Sequence, residues 1–353
     1  MGKDKFFKGI LGIFIMVAII IMLPLTSAAQ TAEKPIILKF AHTNPETSYG
    51  TQHGIYAWLD KIEKATKGRV KITRYGAQSL VKGADTWEAV KTGITDMGWC
   101  PHGYWPGMTP LSEAITLPAL PLRTGEQTAS TMWQVYEKFP EIKREFKDVK
   151  MMAFPCCYPY GLVMSKKLVK TPEDLKGMKI KVLSGPSVDQ MKALGAIPVV
   201  MPFPEVYMSL QKGILDGCAI PYEVLYSWKI AEVAKYVTIL PLTGTLHSIP
   251  MNLKKWNSLP PDIQREIMSV SGLEGSKFVS GQYWDKAGEL SFENCKKAAM
   301  ELVIYKPTDE ELKRFKEIGG KPIWKTWIER MEAKGYPEAK KILDEILRLS
   351  DGK

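Results

Sequence analysis

Hydrophobic and polar positions follow their most regular pattern between Leu175 and Pro221. Ile180 and Val182 alternate with Lys179 and Lys181, and this period of two predicts a β-strand. The rest of the stretch predicts a helix from Pro186 to Leu194, a strand from Ile197 to Met201 buried on both faces, a helix that starts at Pro204 and stops at Gly213, and a strand from Cys218 to Ile220. Alternating strands and helices indicate a parallel sheet with right-handed crossovers.

The period of two typical of strands and the spacing typical of helices also predict elements on both sides of this stretch. Before it, the pattern predicts strands Ile36–Ala41, Val70–Tyr75, Thr95–Trp99, Lys150–Phe154 and Leu162–Ser165, and helices Tyr49–Thr66, Asp85–Lys91 and Glu126–Phe139. After it, the pattern predicts helix Tyr222–Ala234, strands Tyr236–Leu240 and Ser248–Leu253, and two long helical stretches, Pro260–Leu302 and Pro307–Leu349. The chain is therefore predicted to be an α/β protein.

Candidate binding residues lie where predicted strands end, because ligands of parallel sheets bind beyond the carboxyl ends of the strands. Lys181, Phe203 and Ile220 lie at such ends in the central stretch, and His42 follows the first strand. Asp85 begins a helix, so it is either a ligand contact or simply an N-cap.

The loop after the third predicted strand is rich in aromatic residues. It carries Trp99, Cys100, His102, Tyr104 and Trp105 among glycine and proline. Two interpretations stay open at this point: the loop is packed for structural reasons, or it forms one wall of a pocket.

The chain is basic, with a formal net charge of +10 over 353 residues. Its basic residues are interspersed with acidic ones, as in the run from Lys61 to Lys64 and in Lys143-Arg144-Glu145. This pattern favours a solvated mixed surface over a patch that binds nucleic acid.

The N-terminus has the layout of a secretory signal peptide. Lysines precede the apolar run Ile10–Leu25, and the small residues Ser27 to Ala29 follow it as a cleavage site. We therefore exclude residues 1–29 from the fold and expect a periplasmic protein, with an uncleaved N-terminal anchor as the alternative. No later stretch of the sequence is long and apolar enough to span a membrane.

Sequence motifs for catalysis and for cofactors are absent. There is no phosphate-binding loop, dinucleotide fingerprint, nucleophile elbow or zinc-protease motif. The four histidines lack metal-ligand spacing, and the five cysteines include no C-x-x-C pair. An enzyme would have to use a cysteine nucleophile with His42 or His102 as base, and nothing in the sequence orients such a base. We predict no enzyme activity, no metal and no cofactor.

The central stretch resembles the solute-binding proteins of TRAP transporters, the tripartite ATP-independent periplasmic family, in its DctP-like branch. The residues that carry the resemblance are Gly177, Lys179, Val182, Leu194, Gly195, Ala196, Pro198, Met201, Phe203, Glu205, Val206, Tyr207, Leu210, Gln211, Gly213, Asp216, Gly217 and Pro221. The order of elements elsewhere in the chain fits this family too.

The resemblance implies a two-lobed periplasmic binding protein fold of the type II-like kind, with hinge strands and a long interlobe helix. On this basis residues 30–157 and 246–285 are assigned to lobe I, and residues 158–245 and 286–353 to lobe II. The C-terminal helical segment is then expected to pack on lobe II. Crossings near Cys157 and Thr245 would act as hinges for closure around one ligand.

The resemblance also implies a ligand site, from which this sequence departs. Lys181 occupies the position where the family has an arginine that grips a ligand carboxylate, and a lysine lacks the planar fork. Cys218, Ala219 and Ile220 replace the family's Gln, Glu and Asn, and Tyr160 replaces a second basic residue of some members. Lys181 either pairs with an anionic ligand group or is a solvated residue at the end of its strand.

The pocket is expected to be apolar and aromatic, with one positive charge. The predicted wall residues are Trp99, Tyr104, Trp105, Phe203 and Tyr222. Such a wall favours a hydrophobic or aromatic monocarboxylate over the dicarboxylates or sugar acids of commoner family members. Cys100, Cys157 and Cys218 fall near the same strand ends, and they are either apolar wall residues or partners in a disulfide.

The resemblance implies a receptor that binds a small organic acid and delivers it to TRAP membrane permease subunits. A periplasmic sensor that reports to a signalling receptor would share the same pocket, and the sequence does not separate the two. No interaction with nucleic acid is expected.

Overall fold

The computed structural model describes residues 34–351, so the predicted signal peptide lies outside the described residues. Within this range, twelve strands form two six-stranded sheets. The strands are β1 Ile36–Ala41, β2 Val70–Tyr75, β3 Met97–Gly98, β4 Cys100–Pro101, β5 Val149–Ala153, β6 Gly161–Met164, β7 Lys179–Val182, β8 Ile197–Val200, β9 Gly217–Ile220, β10 Tyr236–Thr238, β11 His247–Asn252 and β12 Val303–Tyr305.

Each sheet is mixed, with a parallel part and an antiparallel part. The first sheet has the order β2-β1-β3-β11-β4, with β5 beside β11, and β11 is antiparallel to its neighbours. The second sheet has the order β12-β10-β6-β9-β7-β8, in which β7 is parallel to both β8 and β9. The predicted α/β class and the parallel core of the central stretch are confirmed.

Several helices begin where the sequence supplies a cap or a proline. Thr308 Oγ1 accepts the Glu311 backbone N–H at 3.3 Å, and Glu311 accepts the Thr308 N–H at 2.7 Å, so the two residues form a capping box. The helices are α1 Ala57–Ala65, α2 Thr86–Thr92, α3 Gly125–Lys138, α4 Pro140–Glu145, α5 Pro186–Ala193, α6 Val206–Gln211, α7 Val224–Ser227, α8 Leu253–Asn257, α9 Pro261–Met268, α10 Gly272–Ser280, α11 Ala287–Lys297, α12 Asp309–Gly319, α13 Lys321–Ala333 and α14 Ala339–Ser350. None of the helices within residues 34–351 combines the length and the apolar character that a membrane span needs.

Two of these helices begin with π-helical turns that pack against each other. Gly50–Tyr56 leads into α1, and Gly281–Lys286 joins α10 to α11 into one long run. A side chain at Gly50 would lie 2.9 Å from the Tyr283 ring, and one at Gly54 would lie 3.1 Å from the Tyr283 Cβ. The two glycines therefore let the segments approach closely, and π-helical turns are frequent at functional sites.

The sheets are joined by two extended segments that run antiparallel to each other. The segment between β5 and β6 contains Cys157, whose N–H donates to Thr245 O at 3.2 Å, and Thr245 N–H donates back to Cys157 O at 2.8 Å. One step further along, Tyr160 N–H donates to Thr243 O at 2.8 Å. The run from α10 to α11 makes a third connection.

Three predicted elements need correction. Strand β8 is not buried on both faces, because it is the edge strand of its sheet, and about half of the Ile197 and Val200 surfaces is exposed, 49% and 50%. The predicted helix Tyr222–Ala234 is reduced to α7 and a short turn, because Lys229 adopts a left-handed conformation with φ of 58°. The stretch Pro260–Leu302 is interrupted after α9, where Gly272 has φ of 62°.

The C-terminal helices contact both halves of the molecule. Helices α12 and α13 pack against α5, as expected for the second lobe, whereas α14 packs against α3 of the first. Ile342 and Ile346 lie one turn apart on α14, and they join Met132 of α3 in one hydrophobic cluster. The expectation that the whole segment packs on the second lobe is therefore wrong for α14.

Candidate ligand-binding site

A cavity lies where the strand ends of the two sheets meet, with about 480 Å³ of empty space that includes solvent at its mouth. It is lined by Thr43, Asn44, Trp99, Pro101, Tyr104, Tyr160, Lys181, Leu183, Phe203, Pro221, Val224, Trp228, His247, Tyr283 and Trp284. Among these residues Lys181 is the only cation, and none is acidic.

Lys181 brings a buried ammonium group to this cavity. It sits on β7 between Val199 of β8 and Cys218 of β9, and only 1% of its surface is exposed. Its Nζ lies 5.0 Å from the centre of the Phe203 ring, and within residues 34–351 it has no acidic partner. Burial lowers the pKa of Lys181 from 10.5 to about 8, and the nearby Cys218 opposes this shift. The interpretation as a solvated lysine at a strand end is therefore wrong.

Aromatic rings form one wall of the cavity. They come from the first sheet and from the helical run that joins α10 to α11. The Trp99 and His247 ring centres are 5.0 Å apart, and the His247 and Trp284 ring centres are 5.2 Å apart. Tyr283 lies 4.8 Å from Trp99, held by its contacts with Gly50 and Gly54. A flat apolar ligand placed here would contact several π faces at once.

The two lobes touch each other around this cavity. The Phe203 backbone N–H, from the second lobe, donates to the Tyr104 hydroxyl of the first at 2.9 Å. A side chain on Gly103 would lie 2.7 Å from the Leu183 Cβ, so the loops are in close contact here as well. The cavity is therefore enclosed by contacts that an opening motion would break.

Removing the hydroxyl that bridges the lobes should weaken ligand binding. We expect Tyr104→Phe to raise Kd about two- to tenfold, because one net hydrogen bond contributes about 0.5–1.5 kcal/mol to the closed state. Tyr226→Phe, at an exposed tyrosine, is the matched control and should leave Kd unchanged. Calorimetry with both variants measures the difference, and equal Kd values for the two would contradict a role of this bond in closure.

The structure brings four of the nine predicted site residues together at the cavity: Trp99, Tyr160, Lys181 and Phe203. The other five do not line it. Cys218 and Ile220 point into the core of the second lobe, and the Tyr222 ring packs on Phe292. Asp85 is exposed at the start of α2, and His42 is buried, with Nε2 2.9 Å from the Tyr56 hydroxyl. The N-cap position of Asp85 fits, although its side chain makes no capping hydrogen bond.

The aromatic loop serves both purposes that its composition suggested. Trp99 and Tyr104 line the cavity, whereas His102 is buried among Thr109 and Ser248, which bond its ring nitrogens at 3.0 and 2.7 Å. His42 and His102 therefore hydrogen-bond to hydroxyl groups and not to a cysteine thiol. Residues 34–351 contain no cluster of three or more His, Cys, Asp or Glu side chains that could hold a metal ion.

Sequence reasoning did not identify Asn44, His247, Tyr283 or Trp284 as site residues. Asn44 lies two residues after His42, beyond the end of the first strand, so the strand-end rule predicts the segment but not the residue. His247 begins the strand that crosses back between the lobes. Tyr283 and Trp284 lie within a continuous helical pattern, which gives no signal of which side faces a ligand.

All five cysteines are buried and free, and none lines the cavity. Cys100 and Cys156 pack in one hydrophobic cluster, Cys218 and Cys295 in another, and Cys157 in a third. The interpretation of Cys100, Cys157 and Cys218 as pocket wall is therefore wrong, and the described residues contain no disulfide.

The native thiols should be unreactive. Burial raises the pKa of Cys156 and Cys218 to about 12, so the reactive thiolate is scarce at neutral pH. We expect a thiol reagent to label almost none of the five cysteines in the native protein and all five after denaturation. With a reagent that releases a chromophore on reaction with a thiol, absorbance gives the number of labelled cysteines. Fewer than five reactive groups in denatured, unreduced protein would reveal a disulfide and contradict the expectation.

A larger open groove, with about 1180 Å³ of empty space, runs beside the cavity. It is lined mostly by polar side chains, and its lysine, Lys229, is exposed to solvent. Burial raises the pKa of Glu223 in this groove to about 7. A groove without a buried cation or a continuous aromatic wall is the weaker candidate for an organic acid.

Residues 40–330 match the family model described as bacterial extracellular solute-binding protein, family 7. The chain is 28% identical over 312 residues to the C4-dicarboxylate-binding periplasmic protein DctP of Rhodobacter capsulatus, covering 83% of this chain and 91% of that protein.

Solved structures of similar fold include two with bound aromatic acids. A TRAP solute-binding protein from Rhodoferax ferrireducens T118, in complex with copurified benzoate, has a TM-score of 0.84 and 27% identity over 90% of this chain and 98% of that one. A marine metagenome TRAP solute-binding protein specific for aromatic acid ligands, in complex with 3-hydroxybenzoate, has a TM-score of 0.84 and 26% identity over 90% and 99%. These neighbours confirm the predicted two-lobed α/β fold.

Proposed function

Since the chain belongs to the bacterial extracellular solute-binding proteins of family 7, we propose that it captures an aromatic or otherwise hydrophobic monocarboxylate between its lobes and delivers it to a TRAP-type membrane permease. The family as a whole is extracytoplasmic and serves as a substrate-binding receptor. The family match confirms the predicted resemblance to TRAP solute-binding proteins. The ligand, the site residues, the lobe boundaries and the permease partner are what we propose.

The observation that carries the proposal is the buried ammonium group of Lys181. A charged group removed from water and left without a partner is costly, so its environment favours a bound anion. Lys181 is 1% exposed and has no ion pair within residues 34–351. A ligand carboxylate placed on Nζ would make a charge-assisted hydrogen bond in a water-poor cavity, which is the strong kind.

The rest of the cavity favours one acid group and a hydrophobic body. A second carboxylate would find no second cation among the lining residues, because Lys181 is the only one. Its burial would then be unfavourable, whereas an aromatic body would contact Trp99, Phe203 and Trp284. Benzoate and 3-hydroxybenzoate in the two structural neighbours support this choice, and the C4-dicarboxylate of the Rhodobacter relative represents the alternative.

We further propose that closure occurs about the predicted lobe boundaries, 30–157 with 246–285 and 158–245 with 286–353, except that α14 moves with the first set, against which it packs. Every strand of the first sheet falls in the first set, and every strand of the second sheet falls in the second set. The paired backbone at Cys157 and Thr245 lies at the boundary and is suited to act as a hinge.

A thermal-shift screen of small acids on the mature protein tests the proposal. A ligand at a hundred times its Kd should add roughly 2.7 kcal/mol to the free energy of unfolding. We expect aromatic and branched monocarboxylates to stabilise the protein, and small-angle scattering to show a smaller radius of gyration with the best of them. Strong stabilisation by succinate, malate or a sugar acid, with none by hydrophobic monoacids, would contradict the proposed ligand class.

A further inference from the structure

We infer that His247 is a specificity-determining residue, which selects monocarboxylates whose hydrophobic body carries a hydroxyl or oxo group. The inference rests on the proposed function, because it assigns the ligand carboxylate to Lys181. A hydrogen bond to His247 would be the second polar contact of the ligand, besides the one to Lys181. It would narrow the ligand class to monocarboxylates that carry a hydroxyl or oxo group.

His247 faces the cavity with unused hydrogen-bonding capacity. The residue is 6% exposed, and neither ring nitrogen has a hydrogen-bond partner within residues 34–351. Nδ1 is completely buried, without a partner. The neighbouring His102 provides the contrast, since both of its ring nitrogens are bonded to hydroxyl groups. Buried polar groups in proteins are normally paired, so an unpaired one in a ligand cavity indicates a partner on the ligand.

The position of the ring is fixed, which a selective contact requires. Trp99 and Trp284 both pack against it, with ring centres 5.0 and 5.2 Å from that of His247. The backbone lies in β11, paired with Pro101 of β4. A rigid ring cannot turn away to find another partner, so a ligand that offers none leaves the nitrogen desolvated.

The imidazole is neutral, and this determines what it can bind. Burial lowers the pKa of His247 well below its usual value, and the charges of His102 and Lys181 act in the same direction. A neutral ring has one N–H donor and one acceptor nitrogen. It can therefore accept from a phenolic or alcoholic hydroxyl or donate to a keto oxygen, but it does not replace Lys181 as the partner of a carboxylate.

The test measures how a hydroxyl on the ligand changes affinity in two proteins. Calorimetry with wild type and His247→Phe would compare benzoate with its 2-, 3- and 4-hydroxy derivatives and with mandelate. Phenylalanine keeps the packing against Trp99 and Trp284 and removes both nitrogens. We expect the wild type to bind at least one hydroxylated acid about tenfold more tightly than benzoate, and the variant to bind that acid and benzoate with equal affinity, whatever its absolute affinity for benzoate.

A second variant and the ligand series separate the outcomes. His247→Gln keeps a donor and an acceptor, and it should restore part of the preference. If the acids bind but the wild type shows no preference, or if His247→Phe weakens benzoate and its hydroxylated derivatives equally, the inference is overturned and the proposed function stands. If none of these acids binds, the inference is overturned, and the proposed function is decided by the other hydrophobic monocarboxylates of the thermal-shift screen.

Discussion

Replacing Lys181 by methionine is expected to raise Kd for a carboxylate ligand by about a hundredfold or more. The variant leaves the ligand carboxylate buried without a counter-charge, and breaking a buried pair in this way costs about 3–5 kcal/mol. Lys179→Met, on the exposed part of the same strand, is the matched control and should bind normally. Calorimetry measures both, and unchanged affinity of Lys181→Met would refute the pairing.

The same substitution should stabilise the ligand-free protein. The fall in the pKa of Lys181 from 10.5 to about 8 corresponds to a cost on the order of 3 kcal/mol at neutral pH, because folding removes the ammonium group from water. Methionine has a similar length and no charge. Urea unfolding at pH 7 without ligand should therefore show a higher free energy of unfolding for Lys181→Met. A loss of both binding and stability would indicate a structural role instead.

Ligand affinity should also fall steeply in alkaline solution. The pKa of Lys181 in the free protein is about 8, so the protonated fraction decreases about tenfold for each pH unit above that value. We expect Kd to be nearly constant from pH 6 to 7, about tenfold higher at pH 9 and about a hundredfold higher at pH 10. A bound carboxylate raises the pKa of Lys181, so binding near pH 8 should take up protons.

Lys181→Arg is the control for the alkaline effect. The guanidinium group keeps its charge throughout this range, so the Kd of this variant should stay constant up to pH 10, whatever its absolute affinity. Calorimetry in two buffers of different ionisation enthalpy measures the proton uptake by the wild type. Equal pH profiles for the wild type and the Lys181→Arg variant would show that another group controls binding.

Sequence reasoning was most successful where the signal is local. Strands β1 and β2 have the predicted bounds, because one is a short, mostly apolar run and the other alternates apolar and polar residues. The carboxyl ends of strands located Lys181 and Phe203 in the site. The burial of Lys181 did not follow from the pattern, since Lys179 on the same strand is exposed and only the neighbouring strands distinguish the two.

The errors concern properties that depend on neighbours in space. A short apolar run such as β8 has the same pattern at the edge of a sheet and at its centre, and the strand order decides between them. His247 and Trp284 come from distant elements, so their juxtaposition depends on how the helical run crosses the sheet. The strand-end rule places Ile220 in the site and the resemblance places Cys218 there, yet both side chains pack in the apolar core of the second lobe.

The π-helical turn Gly281–Lys286 has a consequence for how this site can change over evolutionary time. A π turn accommodates one more residue than an α turn, so a one-residue insertion or deletion can be absorbed there without changing the register of α10 or α11. Tyr283 and Trp284 lie within the turn itself. A single codon gained or lost at this point would change the orientation of these two cavity rings while the flanking helices keep their register, which offers a direct genetic route to a new ligand spectrum.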